Sequence, residues 1–179
     1  MQHLPPAEFR VVRSRADIPV LDDTPDRQLF VIEDTLGYLI NFVAKLVARA
    51  QSACLAQHEV TLGQWPILLF LWVTEGLTQT ELSRHVVIDD ATMVRTLDRM
   101  ERDGLVQRVR NPQDRRQLNI FLTDKGRSLR DVLIPCALAV NTTALQSLDD
   151  SEQRQLSSLL RRVITSLEPA ALDDNASSS

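Results

Sequence analysis

The sequence predicts a mainly α-helical protein built around a winged helix-turn-helix, and three observations support this. The 179-residue chain has only five glycines and is rich in helix-forming residues. Two helix-start signals follow one another closely after Leu77. Two strand-like segments come next, with an arginine-rich turn between them, and end at Leu122. Together these segments predict two helices and a two-stranded wing.

The first 57 residues divide into an arm and a helix. Residues 1–26 hold four prolines and show no sustained hydrophobic period, which predicts an extended arm and a helix that begins near Pro25. Residues 27–57 repeat apolar side chains every three or four positions. This period predicts one helix of about eight turns.

The same helical stripe returns near the C-terminus, over residues 156–167. Because an apolar helix face must be buried against something, we expect residues 27–57 and 124–168 to form a joint dimerisation bundle. Pro169 cannot continue a helix without loss of a hydrogen bond, and small polar residues follow it. We therefore expect a disordered tail over residues 169–179.

Residues 61–122 carry the signals of the winged helix-turn-helix domain. Residues 61–64, Thr-Leu-Gly-Gln, are spaced as a capping box for the first helix, in which Pro66 costs a backbone bond unless the helix start is distorted. Thr78 and Glu81 form a second capping box. The carboxylates at positions 89 and 90 suit the positive end of a third helix, only a few residues further on.

The wing follows the third helix. Gly104 can adopt the left-handed conformation that closes a helix. Residues 105–110 and 118–122 are strand-like, and residues 111–114, Asn-Pro-Gln-Asp, form the turn between them. Four arginines and one acid lie within residues 108–116. The net charge of −4 argues weakly against a nonspecific polyanion binder, but a local basic patch decides contact with DNA.

The two cysteines, Cys54 and Cys136, lie far apart in apolar helical stretches, with no Cys-x-x-Cys or Cys/His spacing for zinc. We interpret them as buried thiols in a reducing cytoplasm, because neither has flanking cations that would activate it. The longest apolar run, residues 67–73, is too short to cross a bilayer. These features predict a soluble cytoplasmic protein with no metal, no cofactor and no membrane partner.

Residues 114–126, Asp-Arg-Arg-Gln-Leu-Asn-Ile-Phe-Leu-Thr-Asp-Lys-Gly, resemble the signature of the MarR family (multiple antibiotic resistance regulators). That signature is Asp-x-Arg, five residues, then Leu-Thr-x-x-Gly. Residues 94–106 are similar to the family's recognition helix and its Gly-Leu-Val exit. The resemblance covers residues 26–168 in element order, and the arm before Asp26 is longer than the family needs.

The resemblance implies a homodimer that places two recognition helices in successive major grooves of a pseudo-palindromic double-stranded DNA operator, with two wings on the flanking minor grooves. The residues expected to contact DNA are Thr78, Gln79, Thr80, Ala91, Thr92, Val94, Arg95, Arg99, Arg110, Arg115 and Arg116. Among them, Arg115 at the wing tip suits the narrow minor groove. Asp114 is expected to stabilise the wing through an ion pair with Arg116.

Three positions call for a choice of interpretation. Asp89 and Asp90 place carboxylates near phosphates, so they act either as caps only or as a restriction on which operator is tolerated. Capping preference favours the first. Val94 stands where many relatives carry a hydroxyl, which suggests contact with a thymine methyl group.

Members of the family commonly bind small aromatic or phenolic acids in a crevice between the dimerisation helices and the DNA-binding domain. Arg49, His58 and Trp65 lie in a short span where two helices meet, and they offer a cation, an imidazole and an indole. Such a set suits an aromatic carboxylate of the hydroxybenzoate or hydroxynicotinate type. Each residue also has an ordinary interpretation, as exposed helix charge, loop histidine and core indole respectively.

We therefore expect a sequence-specific transcriptional regulator, a repressor as is commoner in the family, which such an effector releases from DNA. One alternative is a redox-responsive regulator that uses Cys54 or Cys136, since a few members respond to cysteine oxidation. Another is a winged-helix protein-interaction module that does not bind DNA. An enzyme is not expected, because the sequence has no nucleophile elbow, phosphate loop or zinc spacing.

Overall fold

A computed structural model of the chain describes residues 9–17, 28–112, 114 and 116–176. The chain divides into two compact units, Met1–Leu62 and Gly63–Ser179. This division falls close to the start that the sequence predicted for the winged helix-turn-helix domain, at residue 61.

Helices make up most of the described residues. The α-helices are α1 (Leu36–Leu55), α2 (Trp65–Val73), α3 (Gln79–Val86), α4 (Asp90–Arg102), α5 (Asp124–Ser128), α6 (Arg130–Leu145) and α7 (Asp150–Ala176). The strands are β1 (Phe9–Val12), β2 (Gln28–Val31), β3 (Leu77–Thr78), β4 (Val106–Arg110) and β5 (Leu118–Leu122). The mainly α fold class with a small sheet is as the sequence predicted.

The first unit begins with a two-stranded parallel sheet, in which β1 pairs with β2. The expected helix near Pro25 was wrong, since β2 and a 3-10 turn over residues 32–34 precede α1. Residues 29–32, Leu-Phe-Val-Ile, include the β-branched and aromatic types that favour strands. The helix begins instead after Thr35, whose Oγ1 accepts a hydrogen bond from the N–H of Tyr38 at 3.3 Å.

Two ion pairs join the segment after β1 to the 3-10 turn before α1. Arg13 pairs with Glu33 at 3.0 Å, and Arg15 pairs with Asp34 at 2.6 Å. Because these arginines are largely exposed, each pair contributes at most about 1 kcal/mol. These pairs and the β1–β2 pairing tie the described part of the arm to the segment before α1.

The second unit has its core between α2, α3, α4 and a three-stranded antiparallel sheet in the order β3–β5–β4. The sequence predicted β4 and β5 but not β3. The fully buried apolar residues of this unit are Ile67, Leu68, Leu71, Leu82, Met93, Leu97, Met100, Leu105, Ile120, Leu122 and Leu133. Burial of each such side chain contributes about 1.5–3 kcal/mol, which holds the recognition helix against the sheet.

Pro66 costs no backbone hydrogen bond, because α2 starts later than the sequence predicted. The sequence predicted a helix that starts after Thr61, whereas α2 begins at Trp65 with Gln64 as its N-cap. Pro66 is therefore in the first turn, where a backbone N–H has no intrahelical acceptor to lose.

The C-terminal helices depart from the sequence expectation at two prolines. The helix after Thr123 divides at Leu129, and Pro135 lies inside α6. The prediction that Pro169 ends the last helix was also wrong, because α7 continues to Ala176. A helical proline removes one hydrogen bond, and the bonds of the turns on both sides keep the helix intact. Residues 177–179 of the predicted tail lie outside the described residues.

The chain has one described helix, residues 36–58, that is long and apolar enough to cross a membrane by length and composition alone. The bent pair 124–145 and 150–168 would make a second if it were counted as one span. The helix itself was predicted, but Lys45 and Arg49 interrupt its apolar run, so the sequence indicated no candidate membrane span there. The same composition suits a helix whose apolar face is covered by protein.

Neither Cys54 nor Cys136 is a free thiol, since both are disulfide-bonded. The expectation of two buried thiols was therefore wrong. That expectation used the residues that flank each cysteine in sequence, and these carry no information on which sulfur atoms meet in the fold.

Candidate DNA-binding surface

The start of α3 is held by a complete capping box. The Oγ1 of Thr78 accepts from the N–H of Glu81 at 3.3 Å, and the Glu81 carboxylate accepts from the N–H of Thr78 at 2.7 Å. The backbone bond from Thr78, followed by the bond from its hydroxyl, lowers the pKa of Glu81. Since the Thr78 N–H and hydroxyl are used within the cap, Gln79 and Thr80 carry the remaining N–H groups of this helix start.

The start of α4 is capped by Asp89, in agreement with the favoured interpretation of that residue. Its carboxylate accepts from the N–H of Thr92 at 2.8 Å and from the Thr92 hydroxyl at 2.7 Å. These bonds, that of the hydroxyl first, lower the pKa of Asp89. Arg95 donates to the Thr92 Oγ1 at 3.0 Å, so the cap also orients this arginine. Asp90 is the exposed first residue of α4.

The outward face of α4 is small, apolar and basic. Met93, Leu97 and Met100 point into the core, and the opposite side leaves Ala91, Val94, Arg95 and Arg99 exposed, with Thr92 half-buried. Arg99 makes no ion pair with any residue that the structure describes. The predicted contact residues of this helix therefore share one accessible face, as DNA reading requires.

Arg108 on β4 connects the wing to α4. Its guanidinium lies 2.7 Å from Asp98 and 2.8 Å from Glu101, and its N–H donates to Glu101 at 3.3 Å. From the sequence alone, Arg108 was only one of the four arginines of the basic patch. The signal that could have identified it was the i, i+3 pair of acids in the second half of the helix before the wing.

The wing turn is held by side-chain bonds to the backbone. Asn111 accepts from the N–H of Asp114 at 3.1 Å, and the Asp114 carboxylate accepts from the N–H of Arg116 at 3.0 Å. It also accepts from the Gln117 amide at 3.2 Å. The expected ion pair was thus wrong in its donor, because Asp114 bonds the backbone of Arg116 and not its guanidinium.

The basic residues of the wing divide into those that the structure describes and one that it does not. Arg110 ends β4 and is exposed, as is Arg116 after the turn. Arg115, expected in the minor groove, lies outside the described residues. An open depression of about 510 Å³ separates the wing base from the start of α3, and Arg84 and Arg116 line it. Arg84 is a basic residue of this surface that the sequence analysis missed.

The Leu-Thr-x-x-Gly part of the signature joins the wing to α5. Thr123 donates its hydroxyl to the carbonyl of Gly104 at 2.6 Å and accepts from the N–H of Gly126 at 3.1 Å. A Cβ at Gly126 would collide with the carbonyl oxygen of Leu105. Leu122 is buried in the core. The motif is therefore explained by the close packing of the backbone at the start of α5 against residues 104 and 105.

Glu75 provides a second connection between the sheet and α5. Its carboxylate accepts from Arg127 through two bonds of 2.9 Å and from the N–H of Leu122 at 3.0 Å. The Arg127 bond, opposed by desolvation and reinforced by the Leu122 N–H, lowers the pKa of Glu75. The bidentate geometry fixes the exit of the wing against the start of α5.

The candidate effector residues divide between the two units. Arg49 and His58 belong to the first, and Trp65 belongs to the second, where its ring packs edge-on against Trp72 at 5.8 Å. Arg49 is exposed, and His58 is half-buried. Arg49 lies within α1, whereas His58 lies in a 3-10 turn, residues 56–58, that follows the helix.

Gln51 is a buried polar residue of α1 that the sequence analysis missed. It shares the buried side of the helix with Leu55, one turn further on. Its Nε2 is buried and has no hydrogen-bond partner among the described residues. Nearly all buried polar groups in native proteins are hydrogen-bonded, so this amide marks a place where an acceptor is missing.

The capped recognition helix, its accessible basic face and the attached wing define a winged-helix DNA-binding protein. The sequence model of the MarR family matches residues 60–118. The chain is 31% identical over 152 residues to the HTH-type transcriptional repressor NicR of Pseudomonas putida. The matched residues make up 84% of this chain and 92% of NicR. The chain belongs to the MarR family.

Two further relatives extend this comparison. The HTH-type transcriptional regulator TtmR of Methylorubrum extorquens is 39% identical over 99 residues, 55% of this chain and 51% of TtmR. The chain thus spans about half the length of that relative. The organic hydroperoxide resistance transcriptional regulator of Bacillus subtilis is 28% identical over 122 residues, 68% of this chain and 83% of that protein. Two of these three relatives are named as transcriptional regulators and NicR as a transcriptional repressor.

Solved structures of similar proteins include two complexes with DNA. The Staphylococcus aureus MepR–DNA complex has a TM-score of 0.70 at 26% identity and covers 74% of this chain and 98% of MepR. A mutant of Escherichia coli MarR in complex with operator DNA has a TM-score of 0.66 at 26% identity, over 72% of this chain and 92% of that one. The chain is a DNA-binding transcriptional regulator of this family.

Proposed function

We propose that the protein is a cytoplasmic, homodimeric repressor that binds a pseudo-palindromic DNA operator through α4 and the wing. The observation that carries this proposal is the outward face of α4. There Ala91 and Val94 allow close approach, and Arg95 and Arg99 present guanidinium groups that match the two acceptors on a guanine edge. The name of NicR as a repressor supports the direction of regulation.

Contacts outside α4 complete the proposed interface. The N–H groups of Gln79 and Thr80 hold one phosphate region, and Arg110 and Arg116 hold another from the wing. Arg115 remains a proposed minor-groove contact on the strength of its place in the sequence. Asp89 does not oppose this role, since its carboxylate is used by Thr92 within the cap.

The homodimer is supported by apolar surface on both terminal helices. The exposed large apolar residues of α1 are Leu36, Leu39, Ile40, Phe42, Val43 and Leu46. Those of α7 are Leu156, Leu159, Leu160, Ile164 and Leu167. A monomer rarely leaves so much contiguous apolar surface in water, so we assign both helices to the dimer interface. A dimer that reads successive major grooves must hold its recognition helices about 34 Å apart.

Selection of duplexes from a randomised library, followed by fluorescence anisotropy at several salt concentrations, tests DNA reading. Wild-type protein should bind its best duplex with a Kd of roughly 10⁻⁸ to 10⁻¹¹ M. Arg95→Ala should lose about 1–3 kcal/mol on that duplex and relax base preference. The exposed Arg130 of α6 offers a charge-matched control, and Arg130→Ala should leave base preference unchanged.

The opposite outcome separates DNA reading from the protein-interaction alternative. A wild-type dimer that enriches no duplex at low salt would show that the winged helix serves as a docking module. Equal loss of base preference in Arg95→Ala and Arg130→Ala would remove Arg95 from the major groove.

We propose that a small aromatic carboxylate or phenol releases the dimer from DNA, and we retain Arg49, His58 and Trp65 as residues that affect its binding. The buried amide of Gln51 adds support, since its N–H lacks the acceptor that a carboxylate or phenolic oxygen would supply. A coupling of about 1–3 kcal/mol between effector and operator lowers DNA affinity roughly 5- to 150-fold.

A thermal-shift screen of hydroxybenzoates and hydroxynicotinates tests this proposal, because a ligand of the native state raises Tm by mass action. Trp65→Ala and Gln51→Leu should abolish the shift. Without ligand, Gln51→Leu should be the more stable protein by about 1–3 kcal/mol, because an unsatisfied buried amide is removed. An acid that binds equally well with and without operator would contradict the coupling.

The redox alternative is favoured by one observation, namely that Cys54 and Cys136 are both disulfide-bonded. A redox-responsive regulator would be switched by reduction of its disulfide. An external dithiol donates two electrons and two protons, is itself oxidised to a disulfide, and leaves two thiols on the protein. Operator affinity measured before and after dithiothreitol treatment tests it. Equal affinities, with thiol titration showing full reduction, would leave the disulfide as a structural bond only.

A further inference from the structure

Arg108 occupies the point where the wing meets the recognition helix. It lies on β4, which is an edge strand in the order β3–β5–β4. Its side chain is only 16% exposed, whereas those of its partners Asp98 and Glu101 are 59% and 43% exposed. An arginine this enclosed between two carboxylates has no free donor edge comparable with that of Arg99.

The contacts of Arg108 fix both its side chain and its backbone. One terminal nitrogen contacts Asp98 at 2.7 Å, and the other contacts Glu101 at 2.8 Å. Because β4 is an edge strand, the outward N–H of Arg108 lacks a strand partner, and the second oxygen of Glu101 accepts it at 3.3 Å. Three bonds therefore connect one strand residue to two residues of α4.

The two acids are otherwise unfavourable on a DNA-reading helix. Asp98 and Glu101 add two negative charges to the half of α4 that leads into the wing, where phosphates would repel them. Arg108 offsets one of these charges and holds both carboxylates toward the strand. The guanidinium suits this task because its planar group holds several N–H donors rigidly in one plane and points them in different directions.

We infer that Arg108, Asp98 and Glu101 form a clamp that sets the angle of the wing to the recognition helix, so that the protein discriminates base pairs flanking those read by α4. Arg108 is a positioning residue, since it acts through Arg110 and the turn that follows β4. A wing held at a fixed angle meets the minor groove at one distance from the major-groove site. This inference rests on the proposed binding of DNA by α4 and the wing. It adds an explanation of why the protein would distinguish the base pairs that flank those read by α4.

The test uses the full-length dimer and the best duplex that the wild type selects from a randomised library. Two duplexes are compared, the selected one and one whose flanks alone are changed from A·T to G·C or the reverse. The ratio of the two Kd values is the flank preference. A third duplex with a changed centre gives the centre preference, which depends on α4 alone.

Two variants break the clamp with opposite changes in charge. Arg108→Met removes the cation, and the double variant Asp98→Ala with Glu101→Ala removes both anions. Overall DNA affinity should fall in the first and rise in the second. In both, the flank preference should drop to within about twofold of unity while the centre preference is kept.

Arg102 supplies the matched control, because it lies on the same helix with a side chain that is 74% exposed and only a 4.0 Å contact to Asp103. Arg102→Ala should weaken binding by charge alone and keep the flank preference. Should Arg108→Met fail to fold, the double variant still decides, since its substitutions are at exposed positions.

Three outcomes bear against the proposals in different ways. A double variant that keeps the wild-type flank preference overturns the clamp, because Arg108 would then act without the acids. A wild-type protein without any flank preference overturns it as well. A wild-type protein that selects no duplex at all overturns the proposed DNA reading from which the clamp was inferred.

Discussion

The wing and its neighbours differ from the terminal helices in how far each is complete within one chain. Around the wing, Thr78, Asp89, Asp114 and Thr123 each bond backbone N–H groups across a helix start or turn. The terminal helices α1 and α7 instead leave rows of large apolar side chains exposed. Local polar bonds within one chain therefore specify the helix starts and turns around the wing, whereas the apolar faces of α1 and α7 are left for the second copy that we propose.

The largest effect should come from removal of one terminal helix. Deletion of residues 150–179 should give unfolded or aggregated protein, because the apolar side of α1 would lose the partner surface that we assign to the dimer. Analytical ultracentrifugation checks this outcome. A folded, stable monomer after the deletion would contradict the dimer assignment. It would also show that the terminal helices, like the wing region, need no second copy to be stable.

The next largest effect should come from Gly126, where the wing packs most tightly against the start of α5. Gly126→Ala should lower the free energy of unfolding by about 3 kcal/mol or more, because the added methyl group collides with the backbone carbonyl of Leu105. Urea titration gives the value. The control is Gly63→Ala, where a Cβ would meet no atom within 4 Å, and it should change stability by far less.

A smaller effect of opposite sign should arise in the turn of the helix-turn-helix. Val87 adopts φ of +59°, a left-handed conformation that is unfavourable for a β-branched residue. Val87→Gly should raise the free energy of unfolding by about 1 kcal/mol. Val73 is a control of matched exposure, at 85% against 86% for Val87, and Val73→Gly should destabilise. A loss of stability in both variants would show that the turn is not strained.

The smallest effect should appear in acid. Because the pKa of Glu75 is lowered in the folded state, its contribution is complete above its ordinary value of 4.5 and is lost as pH falls through the folded value. Its partial exposure limits that contribution to at most about 1 kcal/mol. Glu75→Gln should flatten the fall in stability between about pH 5 and 3 by about this amount. An unchanged pH profile would mean that the Arg127 bond contributes nothing to stability.

Local signals in the sequence predicted the helix caps and the strands of the wing correctly. The cap at Thr78 and Glu81, the cap at Asp89 and the two long wing strands depend on residues close together in the chain, and the structure has each of them. The family signature pointed to Gly126 as well. The physical reason for that glycine, its contact with Leu105, became evident only from the fold.

The sequence failed where distant residues decide the structure. The strand β2 forms by pairing with β1, which lies about twenty residues earlier and has no hairpin signal to announce it. The partners of Arg108 and the state of the two cysteines depend equally on which elements meet. The buried Gln51 gave no signal at all, since glutamine is an ordinary residue of an exposed helix face.

The bond from Arg95 to Thr92 has a consequence for how selectively the proposed operator is recognised. A long side chain that is already ordered loses less conformational entropy when it meets a base, so more of its interaction energy remains as affinity. The same restraint limits the sweep of the guanidinium across neighbouring base pairs. If Arg95 reads the operator as we propose, the cap at Asp89 narrows the range of operators without any contact to DNA, because it restricts the freedom of that arginine.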